Sequence, residues 1–125
     1  MPRLDRVHVL FVDDNADTRD IAKICLEFEG AVVDVADSGE AALAKLATVQ
    51  PDVIVTDMKM PGMSGDAFLA HLKASPALRG IPVIAVSGTH HDARVGGFAV
   101  CLLKPAEPAA IAAAIAQVVA PPTAP

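Results

Sequence analysis

The sequence contains no tryptophan, no tyrosine and only four phenylalanines, so aromatic side chains make up just 3% of it. Apolar residues nevertheless occupy 53% of the 125 positions, which means that alanine, valine and leucine must fill most of the core. A chain of this length fits one domain and not two. We predict that this domain spans residues 1–120 and that the proline-rich tail PPTAP, residues 121–125, lies outside it.

Other scarce features each argue against a class of protein. The chain has no basic run and a formal net charge of −5, which argues against direct nucleic-acid binding. The longest apolar segment, residues 109–120, is too short to cross a bilayer, and the start MPRLDRVHVL lacks the apolar region of a signal peptide. The two cysteines, Cys25 and Cys101, have apolar neighbours, which favours buried free thiols over a disulfide. We therefore expect a cytoplasmic protein without membrane insertion.

Five short apolar runs indicate strands, and most of the gaps between them carry helical signals. The runs are VHVLFV (7–12), AVVDVA (31–36), DVIVTD (52–57), PVIAVS (82–87) and FAVCLL (98–103). The first, third and fourth are almost continuously apolar, which is typical of strands buried on both faces of a parallel sheet. The alternation predicts an α/β fold in which helices cover both faces of a parallel sheet.

The first predicted helix begins after Asn15, a good capping residue, and ends near Gly30. The next helices are expected after Asp37 or Ser38 and after Gly65, and the last is expected from about residue 108 to residue 120. Helical spacing predicts burial of the following apolar residues: Ile21, Ile24, Cys25, Phe28, Ala42, Leu43, Leu46, Phe68, Leu69, Leu72, Ile111, Ile115 and Val118.

Polar side chains stand at the carboxyl ends of four predicted strands. Asp13 and Asp14 follow the first strand, Asp57 ends the third, Ser87 ends the fourth and Lys104 follows the fifth. Taken singly, each is ordinary turn or cap chemistry. Ligands of open parallel sheets, however, bind at this edge. The set therefore indicates one site.

Three carboxylates in one small region need a compensating positive charge. At separations near 4 Å each pair would repel by about 1–4 kcal/mol, depending on the local dielectric. Mg²⁺ binds such oxygen ligands, and Lys104 supplies a further positive charge. A cation, Lys104 and the hydroxyl of Ser87 could together bind a phosphoryl group, which a carboxylate could accept as a nucleophile.

In VDD (12–14), TDMKMPGMSG (56–65), VSG (86–88) and LKP (103–105), the sequence resembles the receiver domain of two-component response regulators over essentially its whole length. The ordered set is specific, whereas an acidic pair alone would not be. The resemblance implies a flavodoxin-like, doubly wound, five-stranded parallel sheet in strand order 2-1-3-4-5 with helices on both faces. It also implies a cis peptide bond between Lys104 and Pro105.

The same resemblance implies how a phosphoryl group would be handled. Asp57 would accept it from a phosphohistidine of a histidine kinase or phosphotransfer protein, and Asp57, Ser87 and Lys104 would be the catalytic set. Ser87, Gly88 and Lys104 would bind the phosphoryl group. Such a domain is not an enzyme in the usual sense, because it catalyses only its own phosphorylation and dephosphorylation.

The resemblance also implies a magnesium site and a supporting turn. Asp14, Asp57 and the backbone carbonyl of Lys59 would bind Mg²⁺ directly, and Asp13 would help through water. The sequence Pro61–Gly62 suits a type II turn in the loop after Asp57. Lys59, together with Thr89 further along the chain, occupies a position where the family tunes the access of attacking water.

The sequence departs from the family pattern at two places. The family usually has an aromatic residue or histidine three positions before the lysine, whereas this chain has Cys101, which we interpret as a packed small side chain in the switch region.

The segment GTHHDARVGG (88–97) is also shorter than usual, since a three-turn helix needs roughly eleven residues. We predict a short or missing fourth helix, with one turn near 91–95 or an irregular loop, and no metal site at His90 and His91. The output partner is unknown, and the usual output face is expected to be atypical.

Two alternatives stay open. A pseudo-receiver would signal through protein–protein interaction without phosphorylation; the missing switch ring favours it and the intact acidic set argues against it. An aspartyl-phosphate phosphatase on a related fold would need a second carboxylate two residues after its nucleophile. That position holds Lys59, which argues against the enzyme.

Overall fold

A computed structural model describes residues 4–88 and 97–119. Its strands are β1 (His8–Val12), β2 (Val32–Ala36), β3 (Val53–Asp57), β4 (Val83–Ser87) and β5 (Val100–Leu103). The helices in these residues are α1 (Ala16–Phe28), α2 (Gly39–Leu46), α3 (Gly65–Ala74) and α4 (Pro108–Val118). The order of strands and helices follows the alternation read from the sequence.

The five strands form one parallel sheet in the order β2-β1-β3-β4-β5. This confirms the predicted flavodoxin-like fold. The register pairs Val12 with Thr56, and Ser87 with Leu103. The polar residues that follow or end these strands therefore meet at one edge of the sheet.

Each face of the sheet carries its own apolar core because successive side chains of a strand point to opposite faces. Along β1, Val9 and Phe11 pack on the side of α1 and α4, and Leu10 and Val12 pack on the side of α2 and α3. All residues of β3 and β4 are buried, which explains their almost continuously apolar sequences. Phe68 is the largest of the fully buried side chains.

Three helices begin at a side-chain cap. The side chains of Asn15, Ser38 and Ser64 accept hydrogen bonds at 2.9, 3.0 and 3.2 Å from the backbone amide three residues further on. Ser38 and not Asp37 is thus the cap of α2, and α3 begins at Gly65 itself. Gly30 follows the end of α1 with a φ of 100°, as its predicted role as a helix terminator requires.

The prediction for the buried face of α1 is wrong. Ile21, Ile24 and Phe28 are 55%, 68% and 79% exposed and Cys25 is only partly buried, whereas Ala22 and Leu26 are buried. The helix carries two neighbouring apolar stripes, and the stripe of Ala22 and Leu26 faces the sheet. Helical spacing alone does not show which stripe is buried. The other helices bury their predicted residues, although Leu43 and Val118 are only partly buried.

The segment between β4 and β5 for which the sequence predicts a short or missing fourth helix falls largely on residues 89–96, which the structure does not describe. The predicted turn near 91–95, Thr89, the His90–His91 pair and the tail 121–125 lie outside the described ranges. The peptide bond between Lys104 and Pro105 is cis, as predicted. No helix in the described part of the chain is long and apolar enough to cross a membrane.

Candidate functional site

Three aspartates meet at the carboxyl edge of the sheet. One carboxylate oxygen from each of Asp13, Asp14 and Asp57 lies within 4.8 Å of the others. Asp13 and Asp57 are buried, with 6% and 5% exposure, and Asp14 is exposed. The cluster therefore presents carboxylates from β3 and from the β1–α1 connection towards one point that solvent can reach.

Lys104 joins this cluster through an ion pair. Its Nζ lies 3.0 Å from Oδ2 of Asp57, and its side chain stays 44% exposed. Its backbone N–H donates to the carbonyl of Ser87 at 2.7 Å, which ties the end of β5 to the end of β4. Ser87 is buried, with 1% exposure, and Gly88 beside it is exposed. Because the side chain of Lys104 is partly exposed, its ammonium can remain beside Asp57 and still contact a ligand.

The chain around Asp57 is held by its neighbours in sequence. The hydroxyl of Thr56 donates to the carbonyl of Asp57 at 2.9 Å, and the backbone N–H of Lys59 reaches Oδ1 at a long 3.4 Å. A Cβ on Gly65 would lie 2.9 Å from that same carbonyl oxygen, so a larger residue there would force the backbone to shift. Gly62 has a φ of 81°, as the predicted Pro61–Gly62 turn requires, but the N–H of Met63 donates to the carbonyl of Pro61 at 3.1 Å, which closes a three-residue turn and not the predicted type II turn.

The electrostatics of the cluster favour a bound cation. Burial raises the pKa of Asp13, the hydrogen bond from the backbone N–H of Asn15 to Oδ1 at 2.9 Å opposes that shift, and the charge of Asp57 raises the pKa further. A divalent cation would remove the cost of burying these charges together. Hard carboxylate oxygens at this spacing suit Mg²⁺. The donor set therefore fits the cation that the sequence predicts.

A cavity of about 660 Å³ opens over the cluster. Its lining combines the polar side chains of the acidic cluster with apolar residues of the core on the side of α1 and α4. The lining residues are Phe11, Asp13, Asp14, Asn15, Thr18, Val55, Asp57, Lys59, Val86, Lys104, Pro105, Ala106 and Ile111. This space admits a hydrated cation together with a phosphoryl-sized anion.

Two positions of the predicted switch region remain, Cys101 and Thr89, and the structure describes the first of them. Cys101 lies half-buried on β5, opposite Ala85, and burial raises the pKa of its thiol. That environment suits a packed side chain and disfavours the reactive thiolate. Thr89 lies outside the described residues.

Sequence reasoning missed three residues around the acidic pair. Asn15 was predicted only as a helix cap, yet it also lines the cavity and holds Asp13. Thr18 lines the same cavity, and Nη1 of Arg19 donates to the carbonyl of Asp13 at 2.8 Å. All three residues lie at the start of the helix that follows the acidic pair, and this position in the sequence could have predicted their contact with the site.

Comparisons with known proteins agree with this geometry. The sequence model of the response regulator receiver domain matches residues 9–116. An uncharacterised 14.6 kDa protein of Leptolyngbya boryana is 34% identical over 113 residues, which cover 86% of each chain. The two-component response regulator ARR15 of Arabidopsis thaliana is 32% identical over 112 residues, 81% of this chain and 53% of the plant protein.

The solved structures give the same result. The chemotaxis response regulator CheY4 of Vibrio cholerae superposes with a TM-score of 0.84 at 26% identity, over 91% of this chain and 99% of that one. The sequence match over residues 9–116 runs from β1 into α4 and includes the three aspartates of the acidic cluster. The chain therefore belongs to the receiver domain family of two-component response regulators.

Proposed function

We propose that this receiver domain accepts a phosphoryl group on Asp57 from the phosphohistidine of a histidine kinase or a phosphotransfer protein. The observation that carries the proposal is the buried carboxylate of Asp57, which lies beside two further carboxylates and 3.0 Å from Lys104. This arrangement combines a nucleophile, a cation site and a fixed positive charge in one cavity.

The transfer would exchange one bond to phosphorus for another. An oxygen of Asp57 attacks the phosphorus, the phosphorus–nitrogen bond to the donor histidine breaks, and the histidine nitrogen keeps the electron pair. Lys104, already at Asp57, is placed to pair with the phosphoryl oxygens. The hydroxyl of Ser87 and the backbone N–H of Gly88 would donate to the same group, since Ser87 ends β4, the strand beside β3, and Gly88 follows it.

Asp14, Asp57 and the backbone carbonyl of Lys59 would hold Mg²⁺, and Asp13 would contact it through water. The cation would neutralise the charge that collects on the phosphoryl oxygens. The donor set supports this role because, among the ion pairs of the described residues, that of Asp57 with Lys104 is the one that involves a carboxylate of the cluster.

Phosphorylation would add about two negative charges at Asp57. We infer that these charges are reported through an atypical face, made of β5, α4 and the short segment 88–97, to an output protein. Cys101 lies on β5 at the position of the usual switch ring, and Thr89 is assigned to the switch region from the sequence alone. We place the domain, residues 1–120, in the cytoplasm, where its kinase partners act.

The proposal is tested by intact-mass measurement after incubation with acetyl phosphate and MgCl₂. We expect a gain of one phosphoryl group that requires Mg²⁺ and that disappears in Asp57→Asn. Asp52→Asn is the matched control, because Asp52 precedes the same strand at its opposite end and should leave the gain unchanged. If neither acetyl phosphate nor phosphoramidate labels the protein, the proposal is wrong and the pseudo-receiver is favoured.

A further inference from the structure

The connection between β1 and α1 is fixed at several points around Asp13. Its backbone N–H donates to the carbonyl of Ala36 at 3.1 Å, and its carboxylate accepts from the N–H of Asn15 at 2.9 Å. Its carbonyl accepts from Nη1 of Arg19 at 2.8 Å. The other two hydrogen bonds join Asp13 to backbone atoms of Ala36 and Asn15, whereas this one comes from the side chain of Arg19.

The carbonyl of Asp13 belongs to the peptide unit that joins Asp13 to Asp14. A peptide unit is planar, so fixing its oxygen also fixes the direction in which the chain leaves towards Asp14. Asp13 is buried among packed neighbours, but Asp14 is exposed. The orientation of the Asp14 carboxylate therefore depends strongly on this peptide plane.

We propose that Arg19 is a positioning residue for the cation site: its hydrogen bond to the Asp13 carbonyl holds the carboxylates of Asp13 and Asp14 in the orientation that binds Mg²⁺. The inference rests on the proposed function. Arg19 acts through the backbone of the ligands, in the way that groups behind metal ligands orient them. Its guanidinium is half-buried and offers a planar set of N–H donors.

The sign of the effect separates positioning from simple electrostatics. Removing a positive charge near an acidic site would by itself tighten Mg²⁺ binding, because the cation would feel less repulsion. Loss of positioning would weaken binding instead. We expect Arg19→Met, which keeps most of the apolar stem, to weaken Mg²⁺ binding by about tenfold, the lower end of the range for groups behind metal ligands.

Lys23 offers a matched control on the same helix. Its Nζ also donates to a backbone carbonyl, that of Val33, at 3.0 Å, but Val33 lies on β2 and outside the cavity lining. Lys23→Met removes one positive charge and one side-chain bond to a carbonyl, as Arg19→Met does, and it also removes an exposed ion pair with Glu27. We expect its Mg²⁺ affinity to stay within about twofold of the wild type or to rise slightly.

The experiment is titration calorimetry of the unphosphorylated protein with MgCl₂, followed by acetyl phosphate labelling over a range of MgCl₂ concentrations. For Arg19→Met we expect the half-saturating Mg²⁺ concentration to rise about tenfold while the labelling rate at saturation stays within a few-fold of wild type. The variant Arg19→Lys keeps the charge and a donor, so its half-saturating Mg²⁺ concentration should lie between those of the wild type and Arg19→Met. It replaces Arg19→Met if that variant does not fold.

The outcomes distinguish the inference from the function on which it rests. If the wild type binds Mg²⁺ and is labelled but Arg19→Met binds Mg²⁺ equally or more tightly, Arg19 has no positioning role. If Arg19→Met and Lys23→Met weaken Mg²⁺ binding alike, the effect is not specific to the Asp13 carbonyl and the inference also fails. A wild type that is not labelled overturns the proposed function, and a wild type that binds no Mg²⁺ overturns both.

Discussion

At the scale of single residues, Gly65 lies so close to the backbone of Asp57 and Met58 that a side chain at this position would meet it. The N–H of Gly65 donates to the carbonyl of Met58 at 2.8 Å, and a Cβ on Gly65 would lie 2.9 Å from the Asp57 carbonyl oxygen and from Cα of Met58. Backbone atoms cannot move aside as a flexible side chain can. The identity of residue 65 therefore fixes where Asp57 sits.

We expect Gly65→Ala to lower the free energy of unfolding by about 1–3 kcal/mol, the usual cost of overpacking a tight contact. It should also slow acetyl phosphate labelling, because β3 must shift at Asp57. Urea unfolding and intact-mass kinetics measure the two effects. Gly80→Ala is the control, since a Cβ there meets nothing within 4 Å; if both variants are equally stable, the close approach at Gly65 carries no strain.

Single residues also show how far the sequence alone can reach. Asn15 and Gly30 were predictable because caps and terminators act through local backbone geometry. The contact of Arg19 with Asp13 and the close approach of Gly65 were not predictable. Both depend on how two segments meet in space, and no local pattern encodes that meeting.

At the scale of elements, helix α1 shows where pattern reading fails. Leu26 is buried with 1% exposure, whereas Ile24, two positions earlier, is 68% exposed. Both residues belong to apolar stripes with helical spacing. The choice between stripes is made by packing: the small side chain of Ala22 lies beside Leu26 on the buried face and lets the helix sit close to the sheet.

This pair of residues gives a matched test, because replacing either one by alanine removes the same number of carbon atoms. Leu26→Ala should cost about 2–5 kcal/mol of unfolding free energy, as expected for a buried leucine. Ile24→Ala should change it by less than about 0.5 kcal/mol, as expected for an exposed position. Chemical denaturation of both variants decides the matter, and a larger loss for Ile24→Ala would mean that the stripes are assigned the wrong way round.

The strands were predicted more accurately than the faces of the helices. β3 and β4 are buried on both sides, so their apolar runs needed no assignment of a face. Burial of the central strands follows from the parallel topology itself, and that topology also brings Asp57 and Ser87 to one edge. The candidate site was therefore predictable at the level of which residues meet, but not at the level of their supporting contacts.

At the scale of the whole molecule, a net charge of −5 is combined with a buried acidic cluster at one edge of the sheet. Burial and the neighbouring Asp57 raise the pKa of Asp13, so the folded state without a cation holds this charge at a cost. The cost is present above the folded pKa of Asp13 and disappears as the pH falls through it. Cation binding should remove the same cost at neutral pH.

We therefore expect MgCl₂ to raise the melting temperature at pH 7, since a ligand that binds only the folded state stabilises it. Asp13→Asn should raise the melting temperature in the absence of Mg²⁺, because it removes the repulsion between two buried carboxylates, Asp13 and Asp57. That repulsion is about 1 kcal/mol or more. The amide oxygen can still accept the hydrogen bond from Asn15. The further rise caused by MgCl₂ should be smaller in this variant than in the wild type.

Asp20→Asn is the control for charge alone, because Asp20 is exposed on α1 and lies outside the acidic cluster. It changes the net charge by the same amount and should leave both the melting temperature and its response to MgCl₂ close to those of the wild type. Differential scanning calorimetry with MgCl₂ or EDTA measures all three proteins. If Asp13→Asn and Asp20→Asn behave alike, the stability of the domain responds to its total charge and not to the carboxylates gathered at the edge of the sheet.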